Sequence, residues 1–526
     1  MKSRLQGVGA VLVLGAALLW PQTAIATAGP GPATLRSDFD GDGFADLAMG
    51  AYGEDVGAVA NAGAVTVVHG SSSGLGGDMT TWSQDTPGIA GAAETTDNFG
   101  QALATGDFDD DGFADLAVGV PRDDPAGVQD AGGVNVLFGS ADGLTSARNQ
   151  YWYQDSAGVV DAAEADDGFG WSLAAADFDG DGFDDLAVGA LDEDVGTVQD
   201  AGAVIVLRGS GVGLTGSGSQ ILHQDRPGVP GTPFVRDNFG FSLAAGNLGR
   251  GSRPDLAVGI WLERVVGDDA AGGVNVFYAT NAGLQTSGSQ LWTQNTPGIL
   301  DLSESPDRFG YSVAIGNFGN QQPGDLAVGV PFEKVGDVAQ AGAVNVIYGS
   351  PDGLTADGDQ LWSQASDGVF GTTETSDYLG WRVEAGNLGK GGQADLVIGV
   401  PREDASGETD TGVVHVLYGT PTGLTADGSQ LWYQGITGVE DDPEEGDELG
   451  RAIDIGNFGK TVHGDLALGV PDEHVGSLLA AGAVNVLYGS AGGVTTAGNQ
   501  LLTQDTDGTD DVAEAGDLLG GALAST

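Results

Sequence analysis

The chain has 526 residues with 75 acidic against 18 basic side chains, a net charge of −57 that repels polyanions at long range and excludes nucleic acid as a partner. Cations, basic polymers and basic proteins are the partners such a charge favours. Cysteine is absent, so no disulfide and no lipid-modified N-terminal cysteine can form, and ring closure or metal ions must supply the stapling that disulfides often give extracellular domains.

Residues 1–28 read as a signal peptide: Lys2 and Arg4 precede an apolar run over 8–19, and both Ala24-Ile25-Ala26 and Ala26-Thr27-Ala28 suit a signal peptidase. The run is shorter than the ~20 residues that span a bilayer, and no second long apolar segment follows. The expected product is therefore secreted, without a stable membrane anchor, and extracellular or held at a cell surface. Few Lys beside abundant Ala, Gly and Arg point to a GC-rich bacterial gene. Residues 29–37 form a short linker, and 38–526 form one repeat domain.

Seven copies of a segment of about 70 residues fill that domain. Gln84, Gln154, Gln224, Gln294, Gln364, Gln434 and Gln504 mark the period, as do Phe99, Phe169, Phe239, Phe309, Leu379, Leu449 and Leu519. A period of this size denotes a propeller or a solenoid. In the third copy, FGWSLAAADF from Phe169, DLAVGAL from Asp185, GAVIVLRG from Gly202 and QILHQD from Gln220 are short runs rich in β-formers, separated by Gly, Asp and Ser; each reads as a strand. Four strands in seven copies predict an all-β, seven-bladed β-propeller. A right-handed β-solenoid is the alternative, but its coils are usually shorter and it needs end caps that the chain lacks. The segment 517–526 aligns with the first strand of a blade, and the residue due next matches Asp38. The first blade thus lacks its first strand, and the C-terminus is expected to supply it and close the ring.

Three loops carry the strongest chemistry: DFDGDGFAD from Asp38, DFDDDGFAD from Asp107 and DFDGDGFDD from Asp177. Carboxylates at the first, third and fifth positions converge when the loop curls, the glycine that follows permits the sharp turn, a backbone carbonyl then points inward, and the ninth position adds a further carboxylate. An all-oxygen shell suits calcium, whereas zinc would select His or Cys. Three Ca2+ sites are predicted, with side-chain ligands Asp38, Asp40, Asp42 and Asp46; Asp107, Asp109, Asp111 and Asp115; and Asp177, Asp179, Asp181 and Asp185. Phe44, Phe113 and Phe183 would contribute backbone carbonyls. An EF-hand is rejected, because its twelfth position requires Glu and here holds Met49, Val118 or Val188. The other four loops, NLGRGSRPD from Asn247, NFGNQQPGD from Asn317, NLGKGGQAD from Asn387 and NFGKTVHGD from Asn457, keep only Asp255, Asp325, Asp395 and Asp465. They read as metal-free turns in which that Asp bonds backbone amides.

The Phe-Gly strand opening, the acidic loop and the Val-Gly-Val-Pro segments (118–121 and 328–331, with Ile398 in first place at 398–401) resemble FG-GAP repeats, which form the propeller of integrin alpha subunits and of glycosylphosphatidylinositol-specific phospholipase D. The resemblance implies calcium in loops like these and ligands or partner subunits on the opposite face. The spacing leaves no room for an inserted ligand-binding domain, and leg domains and the catalytic domain of the phospholipase are not seen.

Alternate connections of a meander lie at alternate ends, so the acidic loops share one face with the GS..GLT turns. The other face gathers acidic loops containing Glu54, Asp55, Asp123, Asp124, Glu193, Asp194, Glu403, Asp404 and Glu473, with Glu94, Glu164, Asp166, Glu374 and Glu444 between blades; solvated loops are the expected reading of most of them. No catalytic set emerges. His69, His223, His415, His463 and His474 share no repeat position; the G-x-S-x-G at 70–74 lies in a turn between strands; the D-x-S-x-S at 301–305 lacks its usual context. Trp82, Trp152, Trp292, Trp362 and Trp432 share one strand position and read as core. The function these features suggest is a calcium-binding extracellular binding or adhesion module for a protein or polysaccharide, possibly basic, expected to be monomeric. A related hydrolase (phospholipase or esterase) and a structural surface protein are the alternatives.

Overall fold

The computed structural model describes residues 37–265, 269–319, 323–506 and 508–525; the expected signal peptide and nearly all of the linker lie outside them. Seven antiparallel sheets of four strands are arranged as blades. Blade 2 is typical, with strands Ala102–Gly106, Asp115–Val120, Gly133–Phe138 and Thr145–Trp152 in spatial order. Among the described residues there is no α-helix, only a 3-10 turn at Pro125–Gly127. No helix there is long and apolar enough to cross a membrane.

Burial explains the strand sequences. Second strands such as Asp185–Ala190 are flanked within their own blade and covered on both faces, so every residue is buried and the run is continuously apolar after its Asp. Fourth strands such as Thr355–Trp362 form the outer edge and carry polar, exposed residues in mid-strand. First strands line the central axis, where each packs against the next in an unbroken circle that includes Ala522–Ala524.

The Phe-Gly and Val-Gly pairs have a packing reason. Phe99, Phe169, Phe239 and Phe309 are completely or almost completely buried in the clusters between blades. Beside them, a Cβ on Gly119 would lie 2.1 Å from the Gly170 carbonyl oxygen, so the second strand of one blade must carry glycine where the next blade's Phe-Gly backbone crosses it. Of the five tryptophans expected in the core, Trp82, Trp292 and Trp432 are buried, while Trp152 and Trp362 are half-buried and packed against the core clusters.

The ring closes through the C-terminus. Ala522–Ala524 pairs with Leu47–Ala51 in the register Ala48↔Ala524, Met49↔Leu523 and Gly50↔Ala522, completing a sheet whose other strands are Ala64–His69 and Gly76–Trp82. Ser37 Oγ donates to the Ser525 carbonyl at 2.5 Å on the same seam. Closure and the circle of inner strands rule out the solenoid.

Candidate functional site

The acidic loops connect first to second strands at one face. In blade 1, Asp38 accepts the amides of Asp42 and Gly43 at 3.0 and 2.9 Å, Asp40 accepts that of Asp42 at 3.0 Å, and Asp42 accepts that of Phe44 at 2.9 Å. These Asx bonds curl the loop, and Gly43, with φ 92°, takes the left-handed turn they require. Oxygens of Asp38, Asp40 and Asp42 come within 4.8 Å of one another, as do ligand atoms of Asp40, Asp46 and His69. Blade 2 repeats the curl, with Asp107 accepting from Asp111 and Gly112 and Asp111 from Phe113; Asp107, Asp109 and Asp115 converge. In blade 3 Asp177 accepts from Asp181 and Gly182, Asp181 from Phe183, and Asp177, Asp179 and Asp181 converge.

The ninth-position Asp bonds backbone amides, as expected of the four loops without a cage, and does so in the acidic loops as well. Asp46 accepts the Phe39 and Gly70 amides at 2.8 and 2.9 Å, and Asp115 accepts those of Phe108 and Gly139 at 2.9 and 3.0 Å. Asp255, Asp325 and Asp395 make the same pair of bonds in loops without a cage, and Asp465 accepts from Gly489. The residue is a backbone clamp in the acidic and the other loops alike; Asp46 also converges with Asp40 and His69, and Asp115 with Asp107 and Asp109, whereas the other oxygen of Asp185 is held by Arg208.

Charge inside the cages is under-compensated. Burial raises the pKa of Asp38 and Asp107, and pushes Asp115 to about 8 and Asp185 to about 7. A divalent cation would reverse this by favouring the ionised form. Each cage also has a basic group in contact with its carboxylates: His69 Nδ1 lies 3.2 Å from Asp46, Arg148 donates to Asp109, and Arg208 NH1 lies 2.8 Å from Asp179 and 3.0 Å from Asp185; the Arg253 guanidinium also lies against Gly180 of the blade 3 loop. In three of the other loops a side-chain cation crosses the turn instead. Arg250, Lys390 and Lys460 sit over Tyr278, Tyr418 and Tyr488 at 4.1, 3.8 and 3.4 Å and donate to the Gly288, Gly428 and Gly498 carbonyls.

On the opposite face most of the acidic residues are solvated as expected (Asp55, Asp124, Asp404, Glu94, Glu164, Asp166, Glu374 and Glu444 are exposed), but five are not. Glu54, Asp123, Glu193, Glu403 and Glu473 are buried, and each accepts a bond from the periodic glutamine of the preceding blade: Gln504, Gln84, Gln154, Gln364 and Gln434. Gln224 with Glu263 and Gln294 with Glu333 complete seven inter-blade clasps. The next residues, Asp55, Asp124, Asp194 and Asp404, accept amides of their own loops. The fixed separation of 39 residues between Gln and its acidic partner was the sequence signal for these pairs. The serine motif at 70–74 is a hairpin turn in which Ser71 Oγ bonds the Gly74 carbonyl.

A closed ring of seven four-stranded blades, with acidic loops at one end of three of them, defines a seven-bladed β-propeller. The chain carries FG-GAP repeats: the family described as "FG-GAP repeat" matches residues 31–68, 99–137 and 169–207, which bear the three acidic loops. It is similar to bovine "Phosphatidylinositol-glycan-specific phospholipase D" (32% identity over 161 residues, 30% of this chain and 18% of that protein). It also resembles "Integrin alpha-PS2" of Drosophila melanogaster (34% over 169 residues, 31% of this chain and 11% of that protein) and "Integrin alpha-3" of Cricetulus griseus (33% over 170 residues, 32% and 14%). Each match spans less than a fifth of the relative's length.

Proposed function

We propose that the chain is a secreted, calcium-binding, integrin-like propeller that serves as an extracellular binding or adhesion module for a protein or polysaccharide. The observation that carries the reading is the convergence of Asp oxygens in three successive loops on one face of a closed ring. Calcium bound there would hold Asp38, Asp40, Asp42 and Asp46, and their counterparts at 107–115 and 177–185, without mutual repulsion, and would neutralise part of a very acidic chain. Ions at that face stiffen the ring and leave the loops of the other face, held by the seven clasps, as the platform for a partner. Similarity to integrin alpha subunits supports an extracellular binding role, and similarity to a phospholipase over so short a span lends no catalytic residues. The test is retention of extracellular proteins and polysaccharides by the immobilised protein in calcium, compared with chelator. Selective, calcium-dependent retention is expected, and no retention in either condition would refute the module.

A further inference from the structure

Six of the seven blades place a basic group at the end of the third strand on the acidic-loop face. His69 and Arg208 are themselves the last residue of that strand in blades 1 and 3, and Arg148 lies over Phe138 at 4.6 Å in blade 2. In blades 4, 6 and 7 Arg250, Lys390 and Lys460 lie over Tyr278, Tyr418 and Tyr488. Blade 5 has Tyr348 at this place, and among the described residues no cation lies over its ring. The loop position that supplies Arg250, Lys390 and Lys460 holds the neutral Asn320. Burial shows the difference: Phe138, Tyr278, Tyr418 and Tyr488 are buried, whereas Tyr348 is half-buried. Charge shows it too. Arg250, Lys390 and Lys460 offset the burial of Asp255, Asp395 and Asp465, and among the described residues Asp325 has no basic neighbour to do so.

The groups that such a cation touches in other blades are nevertheless in place. The Tyr348 hydroxyl donates to Gln360 Oε1 at 2.6 Å and accepts the Leu424 amide at 3.3 Å; Tyr278 makes the same bonds with Gln290 and Leu354, and they fix the ring. In blade 4 Arg250 donates to two carbonyls, that of Gly288 and, from the next blade, that of Asp352. Their counterparts one period on are Gly358 and Thr422. Both line a cavity of about 430 Å³, together with Tyr348, Asp325 and Asp357. A Cβ on Gly358 would meet only Tyr348, at 3.9 Å, whereas at Gly288 and Gly498 it would lie 2.9 Å from Arg250 and Lys460. The pocket is thus shaped and charged for a group that the chain itself supplies elsewhere in the ring.

We propose that blade 5 binds a basic group from outside the chain, an ammonium or guanidinium on an alkyl stem, with its charge over Tyr348 and its N–H donors on the Gly358 and Thr422 carbonyls. The site lies on the acidic-loop face and goes beyond the binding-module reading, since it needs neither the calcium cages nor the loops of the opposite face. An aromatic face attracts a cation, and more strongly where water is partly excluded. Carbonyl oxygens accept the N–H bonds of the cation, and Asp325 and Asp357 balance its charge. An alkyl stem can cover the rest of the ring while its head stays polar. Calcium is disfavoured: this loop has no carboxylate at its first, third and fifth positions, and both oxygens of Asp325 accept amides, from Gly349 and Phe318. An anion would meet Asp325 and Asp357. The basic group can come from a peptide side chain or from a free polyamine, and the net charge of −57 draws either to the surface.

Fluorine NMR on the full chain labelled with 3-fluorotyrosine tests this, with the Tyr348 signal assigned by its loss in Tyr348→Phe. Saturating calcium keeps the acidic cages from competing for the probes. Capped Gly-Lys-Gly and Gly-Arg-Gly peptides should shift the Tyr348 signal saturably, with a Kd of about 1 mM, and leave the other tyrosines largely unmoved. A Gly-norleucine-Gly peptide, of similar length but uncharged, and tetramethylammonium, charged but without N–H, should each bind about tenfold more weakly, the scale of one charge-assisted hydrogen bond. Putrescine separates the sources: tighter binding than either peptide assigns the pocket to free amines, weaker binding to peptide side chains. Gly358→Arg puts an arginine at the repeat position where blade 2 has Arg148, at φ 67°, and should abolish the response by covering Tyr348 from within the chain. Asp357→Asn, at an exposed residue, should weaken binding a few-fold and is the second variant should Gly358→Arg fold poorly. An unmoved Tyr348 signal, an equal response to norleucine or tetramethylammonium, a uniform shift of all tyrosines, or full binding in folded Gly358→Arg would each overturn the proposal, as would full binding in Asp357→Asn where Gly358→Arg does not fold.

Discussion

Gln504 donates from Nε2 to Glu54 Oε2 at 2.5 Å and so joins residues 450 positions apart, in the clasp that elsewhere links residues 39 apart in successive blades. The seam is thus built as the other six joints are, and the circle has no weak side chain to side chain contact at its closure. Truncation should reveal how much the seam supports. Removing 517–526 deletes the inner strand Ala522–Ala524 and opens the edge of Leu47–Ala51. The shortened protein should melt lower and associate through that edge, although it loses no expected side-chain ligand for calcium. A synthetic peptide of the missing residues should restore the melting temperature. Unchanged melting and a monomeric shortened chain would contradict this role of the strand.

The clasps also predict a pH dependence. Burial, with neighbouring carboxylates, pushes Glu54, Glu263, Glu333 and Glu473 to about 8 and Glu403 to about 7. A folded pKa above the unfolded value near 4.5 means that the folded state binds the extra proton. The clasp contribution is therefore complete below about pH 4.5 and is lost as pH rises through about 8. Glu333→Gln keeps an oxygen for Gln294 Nε2 and adds an amide for the Gln294 Oε1, which is buried without a partner. This variant should melt above the parent at pH 8 to 9 and close to it near pH 5, in thermal scans of the calcium-loaded protein. Truncation by Gln294→Ala should instead destabilise at both, by about 1–3 kcal/mol for a buried acceptor left unpaired.

Ring and blade number were legible because a 70-residue period repeats in strand-forming runs and turn residues, and because DLLGGALAST at 517–526 can only be read as a first strand missing its blade. The curl of the three acidic loops was legible because Asx-turn spacing is local. The clasps were not read, because Gln84 and Asp123 lie in different blades and only the ring brings them together. An arc of aromatic rings around the channel escaped for the same reason. Trp171, Phe241, Tyr311 and Trp381 each look like an ordinary strand residue, and nothing within one repeat shows that they converge on the axis.

Metal stoichiometry follows from the loops. Dialysis against dilute calcium should leave three ions per chain, and chelation should lower the melting temperature, since an ion bound only by the folded state stabilises it by mass action, about 2.7 kcal/mol per site at a hundredfold excess over Kd. Asp109→Ala should leave two ions, because Asp109 converges with Asp107 and Asp115 in the blade 2 cage. A ratio near zero or near seven would refute this assignment.

The three cages should not be equal, because their basic neighbours differ in position. Arg208 comes from the third strand of blade 3, is only 13% exposed in its side chain, and places NH1 against both Asp179 and Asp185. In blade 1 the corresponding strand position holds His69, and in blade 2 it holds Phe138, with Arg148 reaching Asp109 from the fourth strand while its own side chain is 53% exposed. A calcium ion entering blade 3 must therefore displace a half-desolvated guanidinium from two of its four carboxylates, whereas in blade 2 the competing cation can swing into solvent at small cost. The blade 3 site should be the weakest of the three. Arg208→Gln should strengthen it by about tenfold, roughly the effect of removing one cation from contact with the ligands, and should leave the other two sites unchanged. The same substitution should destabilise the calcium-free protein, whose Asp185 then keeps only its amide bond to Gly209. Calorimetric titration resolving three sites checks both parts: an unchanged weakest site in Arg208→Gln would show that the guanidinium does not compete with the ion.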